Sequence, residues 1–481
     1  MSPALRKAGG QRPRLVAVSN RVVHPRGAAR GGGLAVALLD ALRERGGLWF
    51  GWSGQISDQP DSRPAVAEAG PIRLATLDLS QAEHDAYYNG FANRCLWPLF
   101  HLRLDLAAFD PQHYDGYMRV NRRLAGALWP LLQDEDQVWI HDYHLLPFAE
   151  ALREQRARQQ IGFFLHIPFP VPEMLTALPH YRELMRSLFS YDLLGFQTED
   201  DVQRFRDCAV REFGAQLRGD SVTAFGRRLV AKAFPIGIDA REFAQLATSP
   251  AARLEFQRVR DPRPGRTVIV GVDRLDYTKG IPERFQAMER LLERYPDTHG
   301  QVELLQIAPT SRGEVPEYMA IREQLERIAG HINGLYAQLD WAPIRYINRP
   351  LGRRQLAGIY RASRIGLVTP LRDGMNLVAK EYVAAQDPAD PGVLVLSRFA
   401  GAAQQMRAAL IVSPYDATAV ADALQTARYM PLEERRNRHA ELMQGLLRND
   451  AGAWRESFLD ALQRCSAPGE ESPASPRAQA A

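Results

Sequence analysis

Asp373 and Glu381 are the carboxylates of a segment, IGLVTPLRDGMNLVAKEYVA (365–384), whose spacing suits a phosphate-linked sugar. Ile365 to Thr369 is apolar and rich in β-branched residues, so it reads as a buried parallel strand. Pro370 ends the strand. Asp373 and Gly374 are expected to turn the chain, with Asn376 as N-cap of a helix starting at Leu377. The free N–H groups of Leu377 and Val378 would face an anion there. Leu377 and Glu381 are spaced i,i+4 and share a helix face. A phosphate at the helix start would have the Glu381 carboxylate one turn away, ready to accept from sugar hydroxyls. Asp373, before the helix, could hold a second sugar. An ordinary strand–turn–helix with a solvated Asp and Glu fits the same pattern.

A second cluster of chemistry is DRLDYTKG (273–280), after the apolar run that ends at Val272. Arg274 and Lys279 bracket one turn before a helix. Two cations at such a place suit a pyrophosphate, Arg by bidentate contact and Lys as a point charge. The alternative is two surface cations paired with Asp273 and Asp276. Arg312, after the run Val302–Ile307, is expected to point into the same cleft.

The first half carries its polar residues at strand ends as well. Ser19-Asn20-Arg21 leads into a basic loop and then Gly31-Gly32-Gly33 before a helix at Leu34. There is no GxxxxGK[ST] and no GxGxxG, which removes the P-loop and dinucleotide readings. Three glycines opening a helix still let backbone approach a phosphate, though a flexible turn fits equally. His141-Asp142-Tyr143-His144 follows Val138–Ile140. No third ligand lies at a metal-site spacing, so no metal is expected. Asp142 is the sharper candidate, as an acceptor for sugar hydroxyls. His166 is held in a proline-stiffened loop, HIPFP, with a core-packed histidine as the alternative.

These residues require strands that deliver them to one edge. Strands are expected at Leu15–Ser19, Leu48–Trp52, Val138–Ile140, Ile161–Leu165 and Leu193–Phe196. A second series falls at Thr267–Val272, Val302–Ile307, Arg345–Ile347, Ile365–Thr369 and Val393–Leu396. Helical patterns alternate with them, and a hairpin-like stretch covers Thr223–Ala233. Two such runs imply an α/β protein of two doubly wound, Rossmann-like domains facing a central cleft. The expected division is 14–238 and 239–453, with residues 1–13 a flexible arm and 467–481 a disordered tail rich in Ser, Pro and Ala. After Tyr415 the pattern is entirely helical.

Composition fits this frame. A chain of 481 residues has room for two large α/β domains. Its net charge of +4 gives no case for nucleic acid or membrane partners. No apolar stretch approaches the ~18 residues of a membrane span. Cys95, Cys208 and Cys465 are far apart, which fits a reducing cytoplasm and neither disulfides nor zinc.

Longer motifs add to this reading: VSNR (18–21), GGLWFGWSG (46–54), YYN (87–89), LWPLFH (96–101), WIHDYHLLPFA (139–149), GFFLHIPFP (162–170), LLGFQT (193–198), RLDYTKG (274–280), QIAPTSRG (306–313) and LRDGMNLVAKEYVAAQDP (371–388). With them the chain resembles the trehalose-6-phosphate synthases, retaining glycosyltransferases of the GT-B fold, from about Leu15 to Cys465. The resemblance implies transfer of glucose from a nucleotide-glucose, usually UDP-glucose, to glucose 6-phosphate. No cofactor or protein-bound metal is expected, because Arg274, Lys279 and a helix N-terminus supply the positive charge that a divalent ion gives elsewhere. The resemblance places the acceptor with Arg21, Tyr88, Trp97, Asp142 and Arg312. It places the donor with Gly32, Gly33, His166, Arg274, Lys279, Leu351, Asp373, the Leu377 and Val378 amides, and Glu381. Asp142, His166, Arg274, Lys279 and Asp373 would carry the catalysis. The last helix, near 454–466, would cross back to the N-terminal domain.

Pro350-Leu351 stands where many relatives carry His-Phe, so the donor base (uracil, guanine or adenine) is left open. A homo-oligomer is expected. Asp387 to Ala481 is too short for a phosphatase domain of usual size, so a separate trehalose-phosphate phosphatase is expected to act on the product. Two rivals remain. One is a sister enzyme with another phosphorylated acceptor, such as glycerol 3-phosphate. The other is a non-catalytic sugar-phosphate sensor, which should have lost the donor residues present here.

Overall fold

The computed structural model describes residues 13–24, 33–260, 265–310 and 316–465. The expected arm and tail, the loop carrying Gly32 and the turn carrying Arg312 lie outside these residues, apart from Pro13 at the end of the arm.

The first sheet is built from β1 (Leu15–Arg21), β2 (Gly47–Ile56), β3 (Ala65–Ala69), β4 (Ile72–Leu79), β5 (Gln137–His141), β6 (Gln160–Phe164), β7 (Leu193–Phe196), β8 (Gln216–Arg218), β9 (Ser221–Ala224) and β10 (Arg227–Ala233). Its order is β3-β4-β2-β1-β5-β6-β7-β10-β9-β8. The strands from β4 to β10 run parallel, and only β3, β8 and β9 at the edges are antiparallel to their neighbours. Parallel strands are covered on both faces, and accordingly all of β5 and β7 is buried.

The second sheet comprises β11 (Thr267–Val272), β12 (Val302–Ile307), β13 (Ile344–Ile347), β14 (Ile365–Val368), β15 (Val393–Ser397) and β16 (Leu410–Val412). It is wholly parallel in the order β13-β12-β11-β14-β15-β16. That is the doubly wound order that reverses between its first and fourth strands, where such sheets open a crevice for ligands.

All ten expected strands are present. The sequence reading lacks β3, β4, β8 and β16. The β4 stretch IRLATLDL mixes buried and exposed positions, which blurs its periodicity. One segment departs more sharply: His84–Leu96 winds as a π-helix and runs into the short α-helix Trp97–Phe100. The wider π turn is rare and tends to occur at functional sites. Here it carries Tyr88 and delivers Trp97.

The last helix, Ala451–Gln463, lies on the first sheet. Phe458 occupies the space above Gly162 and Gly195, where an added Cβ would come within 2.8 and 2.7 Å of its ring. Trp454 and Phe458 pack on Trp139, with ring centroids 4.9 and 4.8 Å away. Burying Phe458 alone contributes ~1.5–3 kcal/mol. Arg45 and Glu456 add an ion pair at 2.6 Å.

Candidate active site

The second domain presents two loops at the β11–β14 reversal. After β11, Asp273 turns inward to Arg284, a guanidinium with no exposed surface. Arg284 also bonds Gln306 Oε1 at 2.8 Å and Thr369 Oγ1 at 3.2 Å, so it ties three strand ends together. Burial raises the Asp273 carboxyl, and Arg284 opposes that rise. Asp276 accepts from the Thr278 backbone and hydroxyl and from the Tyr318 hydroxyl. Both aspartates are thus engaged within the fold, and the pairing of Arg274 and Lys279 with them is not the arrangement found. Arg274 is exposed and lies 5.7 Å from the Trp97 ring centroid, across the cleft. Lys279 Nζ pairs with Asp373 Oδ2 at 2.5 Å.

After β14, Asn376 stands at the expected N-cap position but does not cap. Its backbone is left-handed (φ 73°), and its side-chain amide donates to Asp373 at 3.1 Å. A carboxylate is a stronger acceptor for that amide than anything in the helix turn, whose N–H groups offer it nothing. The first-turn amides of Leu377–Ala385 therefore receive no side-chain cap from Asn376 and keep their capacity for an anion. Gly374 packs on the His166 carbonyl so closely that a Cβ would sit 2.1 Å from its oxygen. Only glycine lets the two domains meet there. Glu381 follows on the Leu377 face. Burial raises its carboxyl to about 7, and Arg353 pulls the other way. Leu351 is half-buried beyond β13.

The first domain answers with an aromatic wall. Arg21, exposed at the end of β1, lies 5.8 Å from the Trp52 ring. Trp52 meets Tyr88 at 5.9 Å, and Tyr88 stacks on His84 at 5.2 Å and on His144 at 5.6 Å. Trp97 packs against His101 and Tyr143 at 4.2 and 5.6 Å. Asp142 follows β5 in a left-handed conformation (φ 76°), a costly one for a residue with a side chain. Its Oδ1 accepts the His166 backbone N–H at 3.3 Å. The His166 ring meets His141 Nδ1 through Nε2 at 3.1 Å. Burial pushes His166 down to about 3 and His141 well below its ordinary value, so this pair is neutral and shares one N–H.

Asp142, His166, Arg274, Lys279 and Asp373 thus follow strand ends, and the helical stretch 84–100 brings Tyr88 and Trp97 to the same cleft. Gly33 opens the helix Gly33–Arg45 after β1. Sequence reasoning missed His101, His141, Arg284 and Asn376 as site supports. Their signal was present, since each lies in or beside a run already singled out for its chemistry. Only tertiary contact distinguishes a support from a core residue. Among the described residues no group of three or more His, Cys, Asp or Glu is placed to hold a metal ion.

Two clusters, one cationic with a helix N-terminus and one aromatic, thus face each other across the cleft. Residues 20–464 match glycosyltransferase family 20. The chain belongs to glycosyltransferase family 20. A family relative from Escherichia coli (strain K12), a trehalose-6-phosphate synthase, is 52% identical over 459 residues, covering 94% of this chain and 95% of the relative. The E. coli structure bound with UDP-2-fluoro glucose is 52% identical, with a TM-score of 0.91 over 94% of this chain and 100% of that one. The UDP-forming α,α-trehalose-phosphate synthase of Burkholderia xenovorans, in complex with glucose-6-phosphate, is 50% identical with a TM-score of 0.90. That match covers 94% of this chain and 100% of the other. Like these family 20 structures, the chain is a GT-B glycosyltransferase.

Proposed function

We propose that this family 20 protein transfers glucose from UDP-glucose to glucose 6-phosphate, forming α,α-trehalose 6-phosphate and UDP. The observation that carries the reading is the meeting of Arg274 and Trp97 across the cleft. It brings a cation suited to a diphosphate against an aromatic face suited to a sugar.

In this reading Arg274, Lys279 and the Leu377 and Val378 amides hold the diphosphate, and Glu381 accepts from the ribose. Leu351 lines the base site, and Gly32 and Gly33 let the backbone approach the donor. Arg21, Arg312 and Tyr88 hold the acceptor phosphate, while Trp97 packs on its sugar. Asp142 orients acceptor hydroxyls. Asp373 and neutral His166 orient the donor glucose. Holding both sugars in one pose supplies much of the acceleration.

Transfer proceeds with retention at a single face. The bond from the anomeric carbon to the diphosphate oxygen breaks as the acceptor oxygen bonds to that carbon. The departing diphosphate oxygen takes the acceptor proton. Arg274 and Lys279 stabilise the charge that grows on the leaving group. These two cations and the helix N-terminus take the part that a divalent ion plays elsewhere, and the reaction needs no metal.

The cell context is read the same way. Cys95 and Cys208 are buried free thiols and Cys465 a half-buried one, which supports a cytoplasmic location. The described residues include no helix long and apolar enough to cross a membrane. The partners are the two small substrates, a second copy of the chain in a homo-oligomer, and a separate phosphatase that consumes the product.

The test is incubation of the purified chain with UDP-, GDP- or ADP-glucose and glucose 6-phosphate, followed by proton and phosphorus NMR. The expected product is an α,α-linked disaccharide that keeps its phosphate. Transfer to glycerol 3-phosphate but not glucose 6-phosphate would move the assignment to the sister enzyme, and substrate binding without turnover to the sensor.

A further inference from the structure

The reaction above makes no use of Lys380, although this lysine lies between Val378 and Glu381 on the proposed donor helix. Its side chain is buried, and burial pushes its ammonium down to about 7. Its Nζ donates to two neutral oxygens, the Ile236 carbonyl at 2.6 Å and Gln405 Oε1 at 2.8 Å. A lysine is costly to bury, and among the described residues no carboxylate bonds it in return.

Ile236 lies where the chain first crosses between the two sheets, beyond Phe234 and Pro235. Phe234 still continues the β7–β10 ladder by donating to the Phe196 carbonyl. The Ile236 N–H donates to Gln197 Oε1 at 3.1 Å, and Gln197 directly follows β7 of the first sheet. One peptide segment therefore has its N–H held by the first domain and its C=O held by the second. The next residue, Gly237, packs on the return crossing, where a Cβ would lie 2.0 Å from the Asn449 carbonyl oxygen. Both passages of the chain between the domains converge on this point. Segments that absorb domain closure are short stretches of this kind.

We propose that Lys380 is a positioning residue that ties the donor helix to the hinge at Ile236. Through it the helix N-terminus is set against the first domain only while Ile236 is gripped from both sides. Gln197 is the matching grip on the acceptor side, and Gln405 holds the lysine in line. The assignment rests on the proposed reaction for its donor helix, but the grip itself is a matter of hydrogen bonds at the crossing.

The test uses the full chain with Lys380→Met, which keeps the reach and removes the donor. Gln197→Leu loosens the same peptide from the other end, and the double variant completes a cycle. Three quantities are read: UDP binding by calorimetry, steady-state constants for both substrates, and hydrogen exchange of the Ile236, Gly237 and Ile238 amides with UDP bound. The expected result is UDP binding within about threefold of the parent and a kcat lower by roughly 10²-fold, the scale on which a small misplacement of reacting groups slows turnover. The 236–238 amides should exchange faster in both variants. The double variant should be little worse than either single one, as for residues acting through one contact.

Unchanged kcat in Lys380→Met would overturn the proposal. So would a loss of UDP binding in proportion to kcat, because that is the mark of a residue that merely supports the pocket. If Lys380→Met does not fold, Gln197→Leu alone decides by the same readings. If the parent makes no disaccharide phosphate, the proposed reaction fails, while UDP binding and exchange at 236–238 still judge the grip.

Discussion

Lys279 Nζ and Asp373 Oδ2 stand 2.5 Å apart across the β11–β14 reversal, so a cation and an anion assigned to different parts of one donor neutralise each other. A diphosphate entering beside Lys279 must share it with Asp373. Asp373→Asn frees the ammonium and leaves a neutral side chain of the same shape. UDP should then bind as tightly or more tightly, while turnover falls by about 10²-fold through loss of sugar orientation. Calorimetry with UDP and initial-rate kinetics separate the two effects. Weaker UDP binding would show that Asp373 holds the nucleotide end. A slow fluorinated donor should leave no glucosyl adduct on Asp142 or Asp373 by intact mass, because neither is a nucleophile. A stable adduct would restore double displacement.

Arg274→Ala should impair the donor and Arg312→Ala the acceptor. Charge-assisted bonds of a phosphate-bound arginine are worth about 1.5–3 kcal/mol, or roughly 10–150-fold in affinity. Kinetics with each substrate varied in turn decide this. Equal losses for both substrates in both variants would sink the two-site assignment. Arg274 also lies over Trp97, so some spill-over to the acceptor is expected from that variant.

Chelation should leave the rate unchanged. Activity assayed in excess EDTA should match that in magnesium to within error. Complete loss in chelator, restored by magnesium or manganese, would contradict the charge assignment to Arg274, Lys279 and the helix amides.

Stability should fall as pH drops below neutrality. Burial holds His101 down to about 4, His166 to about 3 and His141 lower than its ordinary value. Below about 6.5 the unfolded chain binds protons at these three rings that the folded chain does not. The folded form therefore loses ground from about 6.5 downwards. Glu381 acts in the opposite sense. Its folded value of about 7 exceeds the unfolded one, so its contribution is present at low pH and lost as pH rises through 7. Asp273, also raised by burial, acts in the same sense as Glu381, and in the window they share the three histidines outweigh these two carboxyls. Urea unfolding at pH 7 and pH 5 should show the loss, and His166→Gln should reduce its slope. A flat profile would mean that these rings are hydrated in solution.

Particular residues show how far reading in one dimension reached. The strands Thr267–Val272 and Ile365–Thr369 were legible, the second to within one residue of its end at Val368, because continuous β-branched runs have few other fates. Arg274 and Lys279 were legible as cations at a strand end. The long-range partners of Asp273 and Asp276 were not, because Arg284 and Tyr318 arrive from other elements. Asn376 was misread for a related reason. Its type suits a cap, but its amide is drawn to Asp373, three residues earlier and turned back by the loop. The π-helix at His84–Leu96 has no periodic signature that separates it from an α-helix in so short a stretch.

By itself the sequence determined the alternation of strand and helix, the two doubly wound sheets and the chemical types at their strand ends. Those follow from local periodicity and from side-chain chemistry, which need no partner. The tertiary structure alone decided that Lys279 meets Asp373, that Arg274 rests on Trp97 and that Lys380 grips Ile236. Each of these contacts joins residues far apart in the chain, and most hold a charge out of water. Such a contact exists only when both sheets have folded and closed on each other, and no run of neighbouring residues encodes it.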